Sequence, residues 1–168
     1  PPLVQLSPSP AVAPSRVGEL RVHLPHDFTS LLVCISGGAP LPPSVQQRFE
    51  AATGANLVEG YGLTETSGVV SSNPFSGVEQ PGSIGHPFPG THLRLLDKED
   101  PARDAPAGQP GELAIMGPQV MQGYWNLLAA DAEVFVMRGE ERWLRTGDVA
   151  TIDDQGYVRI VDRIKDMI

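Results

Sequence analysis

In 168 residues there is one cysteine, Cys34, so no disulfide can form within the chain. It sits inside "LLVCI", the setting of a small buried hydrophobe. Lysine is scarce as well: Lys98 and Lys165 are the two in the sequence, and no glycine-rich loop ends in Lys-Ser or Lys-Thr, which excludes a P-loop phosphate cradle. There is no basic excess. The formal charge of −8 argues against a nucleic-acid partner, whose phosphates demand a positive face. No apolar run reaches the length of about eighteen residues that a spanning helix needs, and no charged-then-apolar leader opens the chain. The four histidines, His23, His26, His86 and His92, have no Cys or carboxylate at ligand spacing, so no metal centre is built on them. A Gly-x-Ser-x-Gly elbow is absent too, which leaves hydrolysis through an acyl-enzyme without support.

What is present divides by texture. Residues 1–16 carry five prolines and no period, and the whole of 1–27 is expected to be an irregular lead-in. Residues 28–86 read as an α/β portion. The run Leu31 to Ile35 predicts a strand buried on both faces, and "SGGAPLPP" ends it. A helix follows, with Pro43 in its first turn, Val45, Phe49 and Ala52 at helical spacing, and Gly54 to stop it. A second short strand is expected around Leu57 to Glu59. Strand, helix and strand in that order make a parallel pair with a right-handed crossover, and ligands of such sheets bind beyond the strands' carboxyl ends. "SGGAP" and "YGLTET" both lie at such ends, so the two loops are expected to line one crevice.

Residues 87–163 change to short apolar runs, "HLRLLD", "GELAIMG", "DVATID" and "GYVRIV", broken by Gly, Pro and Asp, the pattern of an antiparallel β-rich subdomain. The clearest hairpin pairs Val149–Ile152 with Tyr157–Val161 through "DDQG", and "NLLAADAEVF" suits one or two helical turns. The chain does not begin with Met and stops within "RIVDRIKDMI", as expected of a piece of a longer protein.

Three stretches carry chemistry. In "NLVEGYGLTETSG", Tyr61 offers a π-face, Thr64 a hydroxyl donor and Glu65 a hard oxygen ligand, while Gly60 and Gly62 let backbone come close. A purine, a phosphate and Mg²⁺ would satisfy all three. A turn whose hydroxyls bond only backbone would account for them equally. In "WLRTGD", Asp148 follows a glycine at an expected strand end, where its carboxylate suits a ribose diol or an ordinary turn. In "SGGAPLPP", Gly37, Gly38 and Ala39 would let a flat ring lie against backbone, or simply make a tight turn.

Taken in order, "ISGGAPLP", "VEGYGLTET", "GSIGHPFPGT", "GQPGELAIMGPQVMQGYWN", "WLRTGD" and "GYVRIVDRIKDMI" resemble the acyl-adenylate-forming superfamily, with bacterial long-chain fatty acyl-CoA ligases the nearest in look. The resemblance spans about residues 28 to 168. It implies an α/β fold: a parallel βαβ portion and then an antiparallel, distorted-barrel subdomain, both part of an acyl-CoA synthetase-like N-terminal domain.

By the same resemblance, the enzyme activates a carboxylic acid with Mg-ATP and passes the acyl group to coenzyme A. Gly37, Gly38 and Ala39 would flank the adenine and Tyr61 would stack on it, with Gly62 beside them in the nucleotide-binding loop. Thr64 would hold the α-phosphate, Glu65 would bind Mg²⁺, Asp148 the ribose hydroxyls, and Arg163 the ribose or phosphate. Lys165, in residues 164–168, would start the hinge to a missing C-terminal domain. The superfamily's lysine-containing phosphate loop would lie upstream and its catalytic lysine downstream, so the piece alone is expected to be inactive. Medium-chain, aryl or dicarboxylic acids are alternatives to a long-chain fatty acid, and a non-catalytic nucleotide-binding or scaffold module is the alternative to an enzyme. The expected location is the cytoplasm, with contact to the inner face of the membrane left open.

Overall fold

The computed structural model describes residues 27–76 and 78–164. The prolines of the lead-in and Lys165 lie outside them.

Two open sheets carry the fold. The first has the order β1-β2-β3-β4, with β1 Val33–Ser36, β2 Asn56–Leu63, β3 Gly68–Ser72 and β4 His86–Pro87. Helix α1, Pro43–Thr53, makes the crossover between β1 and β2, which pair in parallel from Val33↔Asn56 to Ser36↔Glu59. Its boundaries have local causes. Pro43 lacks an N–H and sits where the helix has no use for one, while Gly54 closes the far end in the left-handed region at φ 75°.

Two expectations for this part need correction. The first strand is not buried on both faces: Val33 and Ile35 are exposed, Cys34 is half-buried, and Leu32 just before them is 78% exposed. A parallel strand is covered when helices lie on both of its faces, and among the described residues only α1 is near, with no fully buried side chain of its own. The second correction concerns the glycine-rich "loop". Gly60 to Leu63 continue β2, which leaves its parallel partner β1 after Glu59 and pairs antiparallel with β3 instead. Gly62 is there for close approach: a Cβ on it would lie 2.0 Å from the Gly68 carbonyl oxygen.

The second sheet has the order β5-β6-β8-β7, with β9 also paired to β8. Its strands are β5 His92–Leu96, β6 Gly111–Met116, β7 Phe135–Arg138, β8 Glu141–Ile152 and β9 Val158–Arg163. All pairings are antiparallel, and no pairing among the described residues closes the sheet into a barrel. The expected hairpin is present, with Ile152↔Val158 nearest its turn and Gly156 at φ 83°. The short helix α2, Leu128–Val134, fills the stretch expected to make one or two turns.

The sheets are stitched at residues 83–85. Ile84 N–H donates to the Val158 carbonyl, Val158 N–H donates to that of Gly85, and the Ser83 hydroxyl also bonds the Val158 carbonyl at 2.8 Å. Ile84 enters the core with Leu113, Ala150 and Val158, and Tyr61 packs against them from β2. Burying such side chains is worth about 1.5–3 kcal/mol each, which holds the end of β2 against the middle of β8.

Candidate active site

The carboxyl end of β2 sets one wall of the site. Tyr61 lays its ring on the shared core and donates its hydroxyl to Asp148 Oδ2 at 2.5 Å. Burial, and then the neighbouring Asp148 carboxylate, push the phenol far above its ordinary pKa, so it stays a donor. Past Leu63 the chain makes a 3₁₀ turn, Thr64–Thr66. Thr66, with no exposed surface, locks that turn: its hydroxyl oxygen accepts the Leu63 N–H and lies 2.8–2.9 Å from the carbonyls of Leu63 and Gly68. Thr64 is left exposed at the start of the turn and Glu65 is half-buried beside it.

Asp148 does not follow a strand end, as its glycine suggests. It lies inside β8, 7% exposed, directly opposite Arg163 of β9. The Arg163 guanidinium approaches Asp148 Oδ1 at 3.4 Å. Each carboxylate oxygen thus holds one partner, and a carboxylate has about four lone-pair sites, so capacity remains for a diol.

Glu65 reaches a different neighbour. Tyr124 Oη donates to its Oε1 at 2.6 Å, and the Met121 N–H bonds its carbonyl at 2.8 Å. The bond to Glu65 raises the Tyr124 phenol to about 12. A cavity of about 290 Å³ opens here, lined by Glu65, Tyr124, Glu112, Arg145, Thr146 and Arg163 among others. Gly37, Gly38 and Ala39 are exposed at the end of β1, with Gly37 against the Gly60 backbone, and do not line this cavity. The reason is geometric: β2 runs on through Gly60–Leu63, at about 3.3 Å per residue, and carries Thr64 and Glu65 past the end of β1.

Glu112, Tyr124, Arg145 and Thr146 escape the sequence reading. Glu112 did leave a signal, since a carboxylate in the otherwise apolar "GELAIM" asks for a buried partner. Tyr124 left none, because its contact with Glu65 spans 59 positions.

The sequence pattern of the family described as "AMP-binding enzyme" matches residues 4–125. The chain belongs to the AMP-binding enzyme family. Among its relatives, the long-chain-fatty-acid–CoA ligase of Yersinia pestis is 47% identical over 142 residues, 84% of this chain and 24% of that protein. The corresponding ligase of Bacillus subtilis is 44% identical over 143 residues, 85% of this chain and 25% of that protein. Among solved structures, ATP-bound MatB from Rhodopseudomonas palustris superposes with a TM-score of 0.68 at 37% identity, covering 80% of this chain and 26% of that one. The chain therefore spans about a quarter of the length of the AMP-binding enzymes it matches.

The oxygen donors around the cavity are of the kind a magnesium–nucleotide complex would take. Mg²⁺ takes one or two carboxylates and fills its remaining positions with water and phosphate oxygens. Glu65 offers one oxygen held by Tyr124 and a second to which no described residue donates. Among the described residues no group of three or more His, Cys, Asp and Glu side chains forms a self-contained metal cage. No described helix is long and apolar enough to cross a membrane.

Proposed function

We propose that the chain is the later part of the large domain of an AMP-forming acid–CoA ligase whose acid is a long-chain fatty acid. The observation that carries the reading is that Glu65 and Arg163, far apart in sequence, line one cavity, and that Arg163 there pairs with the buried Asp148. The identities of 47% and 44% to long-chain ligases support the choice of acid.

In the first half-reaction a carboxylate oxygen of the acid attacks the α-phosphorus of ATP, and the bond to pyrophosphate breaks. In the second, the thiolate of coenzyme A attacks the acyl carbon and AMP leaves. Such transfers run on positioning and on charge stabilisation. Asp148 takes the ribose hydroxyls, and Arg163 holds Asp148 from one side while facing the ribose or phosphate with the other. The Thr64 hydroxyl, exposed at the turn, donates to an α-phosphate oxygen. Tyr61 and the Gly37–Gly38–Ala39 turn, with Gly62, bound the adenine. Glu65 would hold Mg²⁺ with the oxygen that Tyr124 leaves open. Bound there, Mg²⁺ would neutralise phosphate charge as it develops. Lys165 begins the hinge on which a small domain turns between the two half-reactions.

The test is acid-dependent exchange between ATP and pyrophosphate by the full-length parent chain, with acetate, palmitate, benzoate and a dicarboxylate compared. Exchange greatest with palmitate is expected. A maximum with another acid would keep the mechanism and change the substrate. No exchange with any acid, in a folded parent that binds ATP, would favour the non-catalytic module. The isolated 168 residues are expected to be inactive, and turnover above a blank would overturn that.

A further inference from the structure

We propose that Glu112 is a positioning residue, whose buried carboxylate holds the Arg145–Gly147 segment of β8 in the shape that presents Asp148 to a ribose diol. The inference rests on the nucleotide-binding reading above.

The ladder between β6 and β8 is broken at the site. Between the pairs Ala114↔Arg145 and Glu112↔Val149, β8 carries Thr146, Gly147 and Asp148 where β6 has only Leu113. Such a bulge re-aims side chains and leaves backbone groups without ladder partners. Gly147 takes φ 74° within it, a left-handed residue inside a strand. Something must bond the stranded N–H groups, since buried ones are rarely left unpaired.

Glu112 and its neighbour supply those bonds. Glu112 is 2% exposed, and Oε1 accepts the Gly147 N–H at 3.1 Å. Oε2 accepts Arg145 Nε at 2.9 Å and Nη2 at 2.8 Å. The carboxylate thus grips the bulge on both sides of Thr146. Thr146 completes the clamp: its hydroxyl donates to the Leu113 carbonyl at 2.8 Å and accepts the Asp148 N–H at 3.1 Å. A third Arg145 nitrogen, Nη1, reaches the Glu133 carbonyl at 3.2 Å, which ties the clamp to the end of α2. A buried charge left unpaired is costly, and here both Glu112 oxygens are matched to groups of the segment before Asp148, the Gly147 N–H and the Arg145 guanidinium. An ion pair needed only for stability has no reason to spend one of its oxygens on the Gly147 amide.

The test separates positioning from plain stability by nucleotide preference. In the full-length parent chain, the dissociation constants of ATP and 2′,3′-dideoxy-ATP are compared for wild type, Glu112→Gln and Glu112→Asp. An amide has one acceptor oxygen, so Gln must turn its NH₂ toward either Gly147 or Arg145. Binding of ATP by Glu112→Gln should weaken about tenfold, the size of a lost hydrogen bond to a charged group, while dideoxy-ATP changes little and the preference collapses. Glu112→Asp keeps the charge but is one methylene short, and should lose part of the preference. If Glu112→Gln fails to fold, Glu112→Asp decides. A variant that binds both nucleotides more weakly by the same factor, or that is less stable with its preference intact, would overturn the inference and leave the nucleotide reading standing. A wild type with no preference for ATP over the dideoxy analogue would overturn the ribose role of Asp148, and this inference with it.

Discussion

Tyr61 on β2 and Asp148 on β8 are joined by a hydrogen bond of 2.5 Å, donated by the phenol to Oδ2. The two belong to different sheets, so the bond ties β2 of one to the bulged strand β8 of the other. Tyr61→Phe keeps the ring on the core and removes only the hydroxyl. Stability should fall by about 1 kcal/mol, the usual net worth of one such bond, read as a shift in the urea midpoint with an unchanged slope. A variant as stable as wild type would show that the bond only orients Asp148.

The close passage of β2 and β3 gives a sharper effect. A Cβ at Gly62 would sit 2.0 Å from the Gly68 carbonyl oxygen and 2.9 Å from Val69 Cα. These are backbone atoms of the paired strand, and they cannot retreat without breaking the pairing of Gly62 with Val69. Gly62→Ala should cost about 3 kcal/mol by this overpacking. Gly108→Ala is the control, because Gly108 has φ 75° but open space around its missing Cβ. That change should cost only about 1 kcal/mol of left-handed strain. Thermal unfolding of the two variants side by side checks both, and equal losses would refute the steric account.

Those two glycines show what a sequence can and cannot tell. Helix α1 is legible because Pro43 and Gly54 act within their own turns, and the 149–161 hairpin because its turn lies between its strands. Gly60 and Gly62 mislead, since glycine next to threonine looks like a loop while here it marks close strand pairing. Strands β3 and β7 are short, and what makes them strands is the partner across the ladder. The same divide runs through the site. Thr64, Glu65 and Asp148 stand out as chemical types in short motifs, and Arg163 enters only through the family resemblance. Of their supports, Tyr124 for Glu65 is set by tertiary contact alone, while Glu112 stands out as a carboxylate in an apolar run and only its partners, Arg145 and the Gly147 amide, are hidden from the sequence.

Tyr124 provides a third expectation. It donates to Glu65 Oε1, which leaves Oε2 open for the proposed metal, and it is half-buried. Tyr124→Phe should therefore leave stability nearly unchanged while raising the KM for Mg-ATP of the parent chain by about five- to tenfold, the loss of one charge-assisted bond. Because the phenol titrates only at about 12, its donor role should be constant from neutral pH to well above physiological values. A wild-type KM for Mg-ATP that tracks a single ionisation between neutrality and pH 10, absent in Tyr124→Phe, would contradict this.

Glu59 should make the fold respond to pH in the opposite sense from most carboxylates. It is the last β2 residue paired with β1, 8% exposed, and burial raises its pKa above the ordinary value, with the Leu41 N–H lowering it in part. Between the unfolded value of 4.5 and the raised folded one, the folded chain holds the extra proton. Stability then falls as pH rises through that window, by the linkage of proton uptake to unfolding. Above it the charged form is carried at a standing cost, and below 4.5 that cost vanishes. Glu59→Gln is neutral at every pH and can still accept from Leu41. It should raise the melting temperature at pH 7, and the gain should shrink to nothing as the pH drops below 4.5. Melting curves of the two proteins at pH 4, 5, 6 and 7 decide the matter. A Gln variant less stable than wild type at pH 7 would mean that the ionised Glu59 stabilises the end of the parallel pair.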